Sequence, residues 1–196
     1  MKDTRQDIVI VWFKRDLRLI DHEPLLQAQK LNLPQLLVYC FEPSVMHYDD
    51  SDTRHWRFVY ESLQDLQQQL SLFNTHIAIF YQEAHFVFKS LQATYNIKAV
   101  FSHQEIGNKL TYDRDISLQK YFKEQHIPWH ESQQNGVIRK LKSRKNWAAL
   151  WNQKMQSAPA VVNLESASFL TLDAAFYDTI KGPELPKQIT THHPSF

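Results

Sequence analysis

Short, continuously apolar segments alternate along the chain with segments in which apolar residues recur every three or four positions. A continuous apolar run is typical of a strand buried on both faces of a parallel sheet, and the three-to-four spacing is typical of an amphipathic helix. The pattern predicts strands over 8–13, 36–41, 76–81, 99–101 and 127–130. It predicts helices between them, over 21–31 with Asp21 as N-cap, 56–73, 83–96 and 111–125.

This alternation of strand and helix predicts an α/β fold. We expect a Rossmann-like three-layer sandwich, with helices on both faces of a five-stranded parallel sheet. Right-handed crossovers favour the doubly wound strand order 3-2-1-4-5. That order places a ligand crevice beyond the carboxyl ends of the first and fourth strands.

The alternation of apolar runs and helical spacing ends after Pro128, so we predict that the chain has two parts. Residues 1–135 form the α/β domain. Residues 136–196 form a helix capped by Asn146, followed by a linker that wraps the domain or leads out of it. A length of 196 residues, with 43% hydrophobic and 22% charged residues, suits one globular domain with such an extension.

The composition excludes several classes of protein. Because 22 basic residues balance 21 acidic ones, no general attraction to nucleic acid or to an anionic membrane is expected. The single cysteine, Cys40, excludes a disulfide framework and lies in an apolar run typical of a buried, inert thiol. No glycine precedes Gly107, which excludes a phosphate-binding loop after the first strand. Without a signal peptide or an apolar run of the ~20 residues that a bilayer requires, we expect a cytoplasmic protein with no membrane partner.

Polar residues cluster in the loops that follow the first, second and fourth predicted strands. They are Lys14, Arg15, Asp16, Arg18, Glu42, His47, His103, Glu105 and Asn108. Arg15 and Arg18 either bind a phosphate or carboxylate of a ligand, or they pair with Asp16 and with helix ends. Glu105 either accepts N–H bonds from a heteroaromatic ring or is solvated in its loop. His47 and His103 lack the HxH or HxxxH spacing of metal ligands, so no metal site is expected from them. No motif in the sequence indicates a catalytic triad, a carboxylate dyad or a Cys/His pair, so no catalytic residue is predicted.

A basic run over 139–145 precedes Trp147 and Trp151. Basic and aromatic residues together are typical of surfaces that bind single-stranded nucleic acid. Two tryptophans four residues apart share one helix face, however, which favours packing in a core or an interface instead.

The segment VWFKRDLRL at 11–19, followed by DHEPL at 21–25, resembles the opening signature of the photolyase/cryptochrome family. Three further segments resemble motifs of this family in the same order. They are RHWRFVYESLQDLQQQL at 54–70, HQEIGN with TYDRD at 103–115, and the stretch over 134–151. The similarity covers residues 8–155.

The resemblance implies a function in light-driven chemistry. Family members use FAD and blue light to split pyrimidine dimers in DNA by electron transfer, a carbon–carbon lyase reaction, while others signal. Their N-terminal α/β domain holds an antenna chromophore, which is a methenyl-folate, a deazaflavin or a flavin. The antenna passes excitation energy to FAD, which lies with the DNA lesion pocket in a helical C-terminal domain.

This chain is therefore expected to be the antenna domain of a longer parent protein, covalently linked there to a FAD domain that contacts damaged DNA. By itself it is expected to be monomeric and inactive in repair. Two alternatives remain, a cryptochrome-type signalling function of the parent and an adenosine-nucleotide-binding module of the same fold.

The resemblance also implies which residues contact the antenna. At the matching positions the candidates are Phe13, Lys14, Arg15, Asp16, Phe41, Glu42, Glu105 and Asn108. Folate-binding relatives often have a glutamate directly after the asparagine, where this chain has Lys109, and this difference weakens the case for folate.

Overall fold

The computed structural model describes residues 4–139, 141, 143–172, 176 and 183–191. Its strands are β1 (Asp7–Phe13), β2 (Gln35–Phe41), β3 (Ala78–Tyr81), β4 (Asn96–His103) and β5 (Trp129–Ser132). They form one five-stranded sheet in the order β3-β2-β1-β4-β5, and every pair is parallel. The predicted fold class and strand order are confirmed.

The helices among the described residues lie between and after these strands. They are α1 (Glu23–Gln29), α2 (Pro43–Met46), α3 (Thr53–Ser71), α4 (Ala84–Thr94), α5 (Lys109–Glu124), α6 (Trp147–Met155) and α7 (Lys187–Thr190). The short helix α2 lies in a polar stretch that the hydrophobic pattern left without an element. It begins at Pro43, whose fixed φ suits the first turn of a helix.

Each face of the sheet carries its own apolar core, because successive strand residues point to opposite faces. Val9, Val11 and Phe13 of β1 pack with buried residues of α1 and α3. The alternate residues of β1, among them Trp12, pack with buried residues of α4 and α5. Cys40 belongs to this second core and is a buried free cysteine, as expected, and burial raises the pKa of its thiol.

The start of α1 differs from the prediction. The N-cap is His22, whose Nδ1 accepts the Leu25 N–H at 3.1 Å, and the predicted cap Asp21 lies outside the helix at a φ of 51°. The Asp21 carboxylate instead accepts the N–H of Ala160 at 2.9 Å, from a position 139 residues further along the chain. A tertiary contact has therefore replaced the local cap that the sequence predicted.

The start of α6 also differs. Asn146, the predicted cap, makes no side-chain capping bond. The Ser143 hydroxyl instead accepts the Lys145 N–H and caps a single 3-10 turn at Arg144–Asn146 that leads into α6.

The described part of the C-terminal segment packs against the α/β core. Phe169 forms a parallel bridge with Gln35 at the start of β2, and Leu170 and Ile189 are buried. The Arg57 side chain of α3 donates to the Gln188 carbonyl oxygen, at 2.7 Å. The division of the chain at 135/136 stays a prediction, and its last residues, 192–196, lie outside the described residues.

None of the described helices is both long enough and apolar enough to cross a bilayer.

Candidate functional site

A cleft of about 650 Å³ opens beyond the carboxyl ends of β1 and β2, bordered by α3 and by the start of α5. We call it the strand-end cleft. Among the predicted antenna contacts, those that line it are Phe13, Lys14, Arg15, Glu42, Glu105 and Asn108. The structure thus brings together residues that are far apart in the sequence, at the position where ligands bind in doubly wound sheets.

The other two predicted contacts, Phe41 and Asp16, do not line the cleft. Phe41 is fully buried in the core, with its ring centroid 6.1 Å from that of Trp56. The Asp16 side chain is also buried, and it accepts the Lys14 backbone N–H at 2.7 Å. Both residues support the wall of the cleft from behind.

Arg114 of α5 is the centre of the charge network in the cleft. Its guanidinium pairs with Glu42, with Glu105 at 3.0 Å and with Asp115 at 2.9 Å. The pKa of Arg114 is raised, since these three carboxylates outweigh the opposing effect of burial. Three acidic groups are therefore brought together around one cation.

The candidate list from the sequence omitted Arg114 and Asp115. A signal for Asp115 was present, since Thr111, Asp115, Leu118 and Phe122 recur at the spacing of one helix face and all four are buried. A carboxylate on an otherwise apolar helix face indicates a buried ionic partner.

Lys14 is that partner. Its Nζ lies 2.8 Å from Asp115 Oδ2 and also above two indole rings, 4.4 Å from the centroid of Trp12 and 5.1 Å from that of Trp129. Burial lowers the pKa of Lys14, and the charge of Asp115 opposes this effect. Because both side chains are buried, Lys14 and its partner Asp115 form a rigid part of the floor of the cleft.

Arg15 has the most exposed side chain of the three basic residues Lys14, Arg15 and Arg114 that line the cleft. Its Nε lies 3.2 Å from Glu105 Oε1, while 57% of its side chain is exposed. Glu105 Oε1 also accepts the Gly107 N–H at 2.8 Å. The loop passes so close that a Cβ on Gly107 would lie 2.6 Å from both Arg15 Nη2 and Glu105 Oε1. The loop geometry therefore fixes the inner end of Arg15, and its outer N–H groups have no hydrogen-bond partner among the described residues.

The pKa values of the two glutamates of the cleft are shifted in opposite directions. Burial raises the pKa of Glu42, and Arg114 only partly opposes this effect. Burial acts in the same direction on Glu105, but there the charges of Arg114, Lys14 and Arg15 prevail and its pKa is lowered. Glu105 is thus the stable anion of the site, and it pairs with two arginines rather than being solvated in its loop.

Behind the cleft, Asp16 joins two histidines. Its Oδ2 lies 2.5 Å from His103 Nδ1 and 2.8 Å from His22 Nε2, the second contact being poorly aligned for a hydrogen bond. Burial by itself would raise the pKa of Asp16, but the contacts with His103 and His22 outweigh it and hold the pKa far below its usual range. His22 was not among the sequence candidates.

This cluster also has the composition of a metal site, since its three potential ligand atoms lie within 4.8 Å of one another. The proton positions argue against that use. Because His22 Nδ1 accepts the Leu25 N–H, the neutral ring carries its proton on Nε2, beside Asp16. A metal ligand needs a free electron pair on that atom, so the geometry fits two histidines packed around one buried carboxylate rather than a metal site.

The remaining candidates lie elsewhere. His47 contacts the Pro43 carbonyl oxygen within its own short helix, at 2.7 Å, and Arg18 contacts Asp21 rather than Asp16. In α6 the rings of Trp147 and Trp151 lie 6.3 Å apart and remain 44% and 39% exposed. Of the two kinds of packing expected for these tryptophans, packing in the core is therefore wrong.

Comparison with known proteins shows what the chain resembles. The family model of DNA photolyase matches residues 9–146. A cryptochrome DASH from Synechocystis is 33% identical over 117 residues, which make up 57% of this chain and 24% of that relative. The chain thus spans about a quarter of this relative's length.

Solved structures show the same fold. A class III photolyase from Agrobacterium tumefaciens superposes with a TM-score of 0.70 at 19% identity, over 96% of this chain and 39% of that one. A photolyase from Sulfolobus tokodaii gives 0.67 at 20% identity, over 92% and 42% of the two chains. That archaeal protein is described as containing two FAD molecules, with the implication of a novel light-harvesting cofactor.

Proposed function

The chain belongs to the DNA photolyase family, and we propose on that basis that it is the light-harvesting domain of a longer photolyase or cryptochrome. The strand-end cleft would hold the antenna chromophore. Light-driven repair or signalling would belong to the longer protein, through a linked FAD domain that contacts DNA. The relatives' greater length supports this division of functions.

The observation that carries the proposal is the combination of aromatic walls and a paired ionic floor in one cleft. Trp56 and Phe58 of α3 contribute aromatic surface to its lining, and Phe58 is 70% exposed. A planar ring can stack on such walls and bury surface that is otherwise in water. Energy transfer needs proximity and orientation and no bond chemistry, so this function requires no catalytic residue in the cleft.

The edges of the cleft offer polar contacts to a heteroaromatic ring. The outer N–H groups of Arg15 are directed by Glu105, and the Asn108 amide, which caps α5, contacts Asp50 at 3.2 Å. Such groups fix the orientation of a ring through hydrogen bonds at its rim. Orientation matters for an antenna, because the rate of energy transfer depends on the angle between the two chromophores.

Among the three kinds of antenna, we favour a flavin or a deazaflavin over a folate. Lys109, which stands where folate-binding relatives often have a glutamate, pairs with Asp113 on the outside of α5 and does not line the cleft. The acidic group that lies next to Asn108 in the cleft is Asp50, and its carboxylate is already bound by the Asn108 amide. The Sulfolobus tokodaii photolyase, with its two FAD molecules, has the same fold.

The test is chromophore binding by the full chain. Flavin mononucleotide, a deazaflavin and a methenyl-folate would each be titrated, and binding followed by fluorescence anisotropy and by the shift of the absorption band. Adenosine monophosphate serves as the competitor that tests the nucleotide-binding alternative. The proposal would be contradicted if none of the three chromophores bound, or if adenosine monophosphate by itself displaced the bound chromophore.

Arg15→Ala is expected to weaken chromophore binding by ~1–2 kcal/mol, or roughly five- to thirtyfold in Kd, because a charge-assisted hydrogen bond at the rim is lost. The matched control is Arg54→Ala, which removes an exposed arginine that pairs with Asp52 and does not line the cleft. Equal affinities of the two variants would show that Arg15 does not contact the chromophore.

A further inference from the structure

The sequence between Glu131 and Glu165 contains no acidic residue. Its six basic residues are Arg139, Lys140, Lys142, Arg144, Lys145 and Lys154. The whole chain has a net charge of only +1, so positive charge is concentrated in this segment and the rest of the chain is net negative. A local concentration of positive charge attracts a polyanion even when the protein as a whole is nearly neutral.

Helix α6 and the turn before it present part of this charge to solvent. No residue of α6 is buried, and Arg144 and Lys145 in the preceding turn are exposed. Among the residues that the structure describes, neither of these two side chains contacts a carboxylate. Arg139, by contrast, pairs with Glu131 at 2.6 Å. Arg144 and Lys145 are therefore the cations of this surface that can meet an anionic partner.

An open groove of about 640 Å³ runs along one face of α6. We call it the α6 groove. Arg144 contributes its cation, and its described lining contains no acidic residue. Asp21 and Glu23 belong to a separate cavity, which borders the face of α6 that contains Leu150. The positive charge of the α6 groove is therefore not balanced by a carboxylate of its own lining.

Trp147 and Trp151 supply the aromatic surface of the α6 groove. Their ring centroids lie 6.3 Å apart, and the residues are 44% and 39% exposed. Gly136 packs against the Trp151 ring so closely that a Cβ on it would lie 2.1 Å from Trp151 Cδ1. The Gln133 amide holds this loop by donating to the Val137 carbonyl oxygen at 3.2 Å. The loop thus positions the Trp151 ring while leaving part of it in water.

The composition of this surface favours a nucleic acid over a protein as the partner. Protein interfaces are enriched in Trp and Arg, but they are depleted in Lys. Four of the six basic residues of the segment are lysines. Exposed aromatic rings beside cations are typical of sites for single-stranded nucleic acid, where bases stack on the rings and phosphates contact the cations.

We propose that the α6 groove binds single-stranded nucleic acid. Bases stack on Trp147 and Trp151, and Arg144 and Lys145 contact the phosphates of the same strand. Every base has a face that can stack and phosphates carry no sequence information, so this binding has little sequence preference. The site is separate from the strand-end cleft, needs neither a chromophore nor light, and does not depend on the proposed function.

The experiment titrates the full chain, in the dark, with a fluorescently labelled oligothymidylate of roughly ten nucleotides. Binding is followed by fluorescence anisotropy and by quenching of tryptophan fluorescence. Inorganic polyphosphate serves as the competitor that offers negative charge without bases. We expect saturable binding that weakens as salt is raised, and an affinity for polyphosphate that is roughly tenfold lower or less. Failure to bind the oligothymidylate, or an equal affinity for polyphosphate, would contradict the proposal.

The decisive variant is Trp147→Ala, because Trp147 is exposed and alanine suits a helix. It should raise the Kd for the oligothymidylate roughly fivefold or more, since a stacking surface is lost. Phe86→Ala is the matched control, because it removes a 56% exposed aromatic residue of α4 that does not line the α6 groove. An equal Kd in the two variants, each with the melting temperature of the unmodified chain, would overturn the proposal.

The contribution of charge is tested by Arg144→Gln. Loss of one phosphate contact should reduce the slope of log Kd against log salt concentration by about one. The control Arg54→Gln removes an exposed arginine of α3 outside the groove and should leave the slope unchanged. An unchanged slope in Arg144→Gln would show that this cation does not contact the strand and would contradict the proposed site.

Sedimentation velocity without nucleic acid tests whether the α6 groove instead binds a second copy of the chain. We expect a monomer over the whole range of protein concentration. A concentration-dependent dimer that Trp147→Ala dissociates would assign the groove to contact between two copies and would overturn the proposal.

Discussion

Arg114→Met is expected to lower the free energy of unfolding by ~3–5 kcal/mol, since it removes the cation that pairs with buried carboxylates. Glu42 and Glu105, whose side chains are 4% and 3% exposed, both pair with Arg114. Lys14 pairs with Asp115 and cannot replace the lost cation at Glu42. Two acidic groups would then face the low-dielectric interior without full compensation.

The free energy of unfolding is measured by urea-induced unfolding at neutral pH. The dependence of this free energy on urea concentration is compared between the variants, so that a change in stability can be told from a change in the unfolded state. The matched control is Arg54→Met, which breaks an exposed pair with Asp52 and should cost less than ~1 kcal/mol. Adding Glu42→Gln to Arg114→Met should recover part of the lost stability, because it removes one of the unpaired charges. If Arg114→Met is no more destabilising than Arg54→Met, the network does not hold the cleft together.

The second large effect is loss of stability in mild acid. Burial lowers the pKa of His22 from its ordinary value of 6.5, so the folded protein binds fewer protons there than the unfolded chain does. Stability is therefore fully present above pH 6.5 and falls as the pH falls below it, by up to ~1.4 kcal/mol per pH unit for one proton. The lowered pKa of Asp16 adds a further loss at lower pH, below the ordinary value of 3.8.

The variant that isolates this effect is His22→Asn. Asparagine is a good N-cap, can donate to Asp16 and does not titrate. Melting temperatures between pH 7 and pH 5 should fall less steeply in His22→Asn than in the unmodified chain. The control is His126→Asn, at an exposed position with a φ of 56° that asparagine tolerates. His76, whose pKa is also lowered by burial, is present in both variants and cancels in the comparison. Equal slopes in all three proteins would show that His22 is not the acid-sensitive group.

The strand order could be predicted from the sequence because local hydrophobic patterns reveal the alternating strands and helices, and right-handed crossovers then favour one order. Runs such as 8–13 and 36–41 are apolar on both faces, which fits a strand that is covered on both sides. β4 extends over Asn96–His103 and is longer than its apolar centre at 99–101 indicated. Its outer residues are held by pairing with β1 and β5, which a hydrophobic pattern does not reveal.

The candidate site was predicted in part, for a related reason. Residues directly after a strand, such as Lys14, Arg15 and Glu42, could be placed at the crevice once the strand order was known. Which of them would be buried in ion pairs depended on Arg114, which lies 72 positions from Glu42 in the sequence. The family resemblance also implies Phe41 and Asp16 as contacts, but their side chains point into the core and toward His103.

The α/β class, the strand order, the family and the sheet edge that carries the strand-end cleft could all be predicted from the sequence alone. These properties follow from residue periodicity and from motifs read over short distances. The positions of side chains in space were needed to show that Arg114 lies at the centre of the charge network, that His22 rather than Asp21 caps α1, and that Asp16 contacts both His22 and His103. Ion pairs and shared protons depend on distances of about 3 Å between side chains far apart in the chain, and no local pattern encodes those distances.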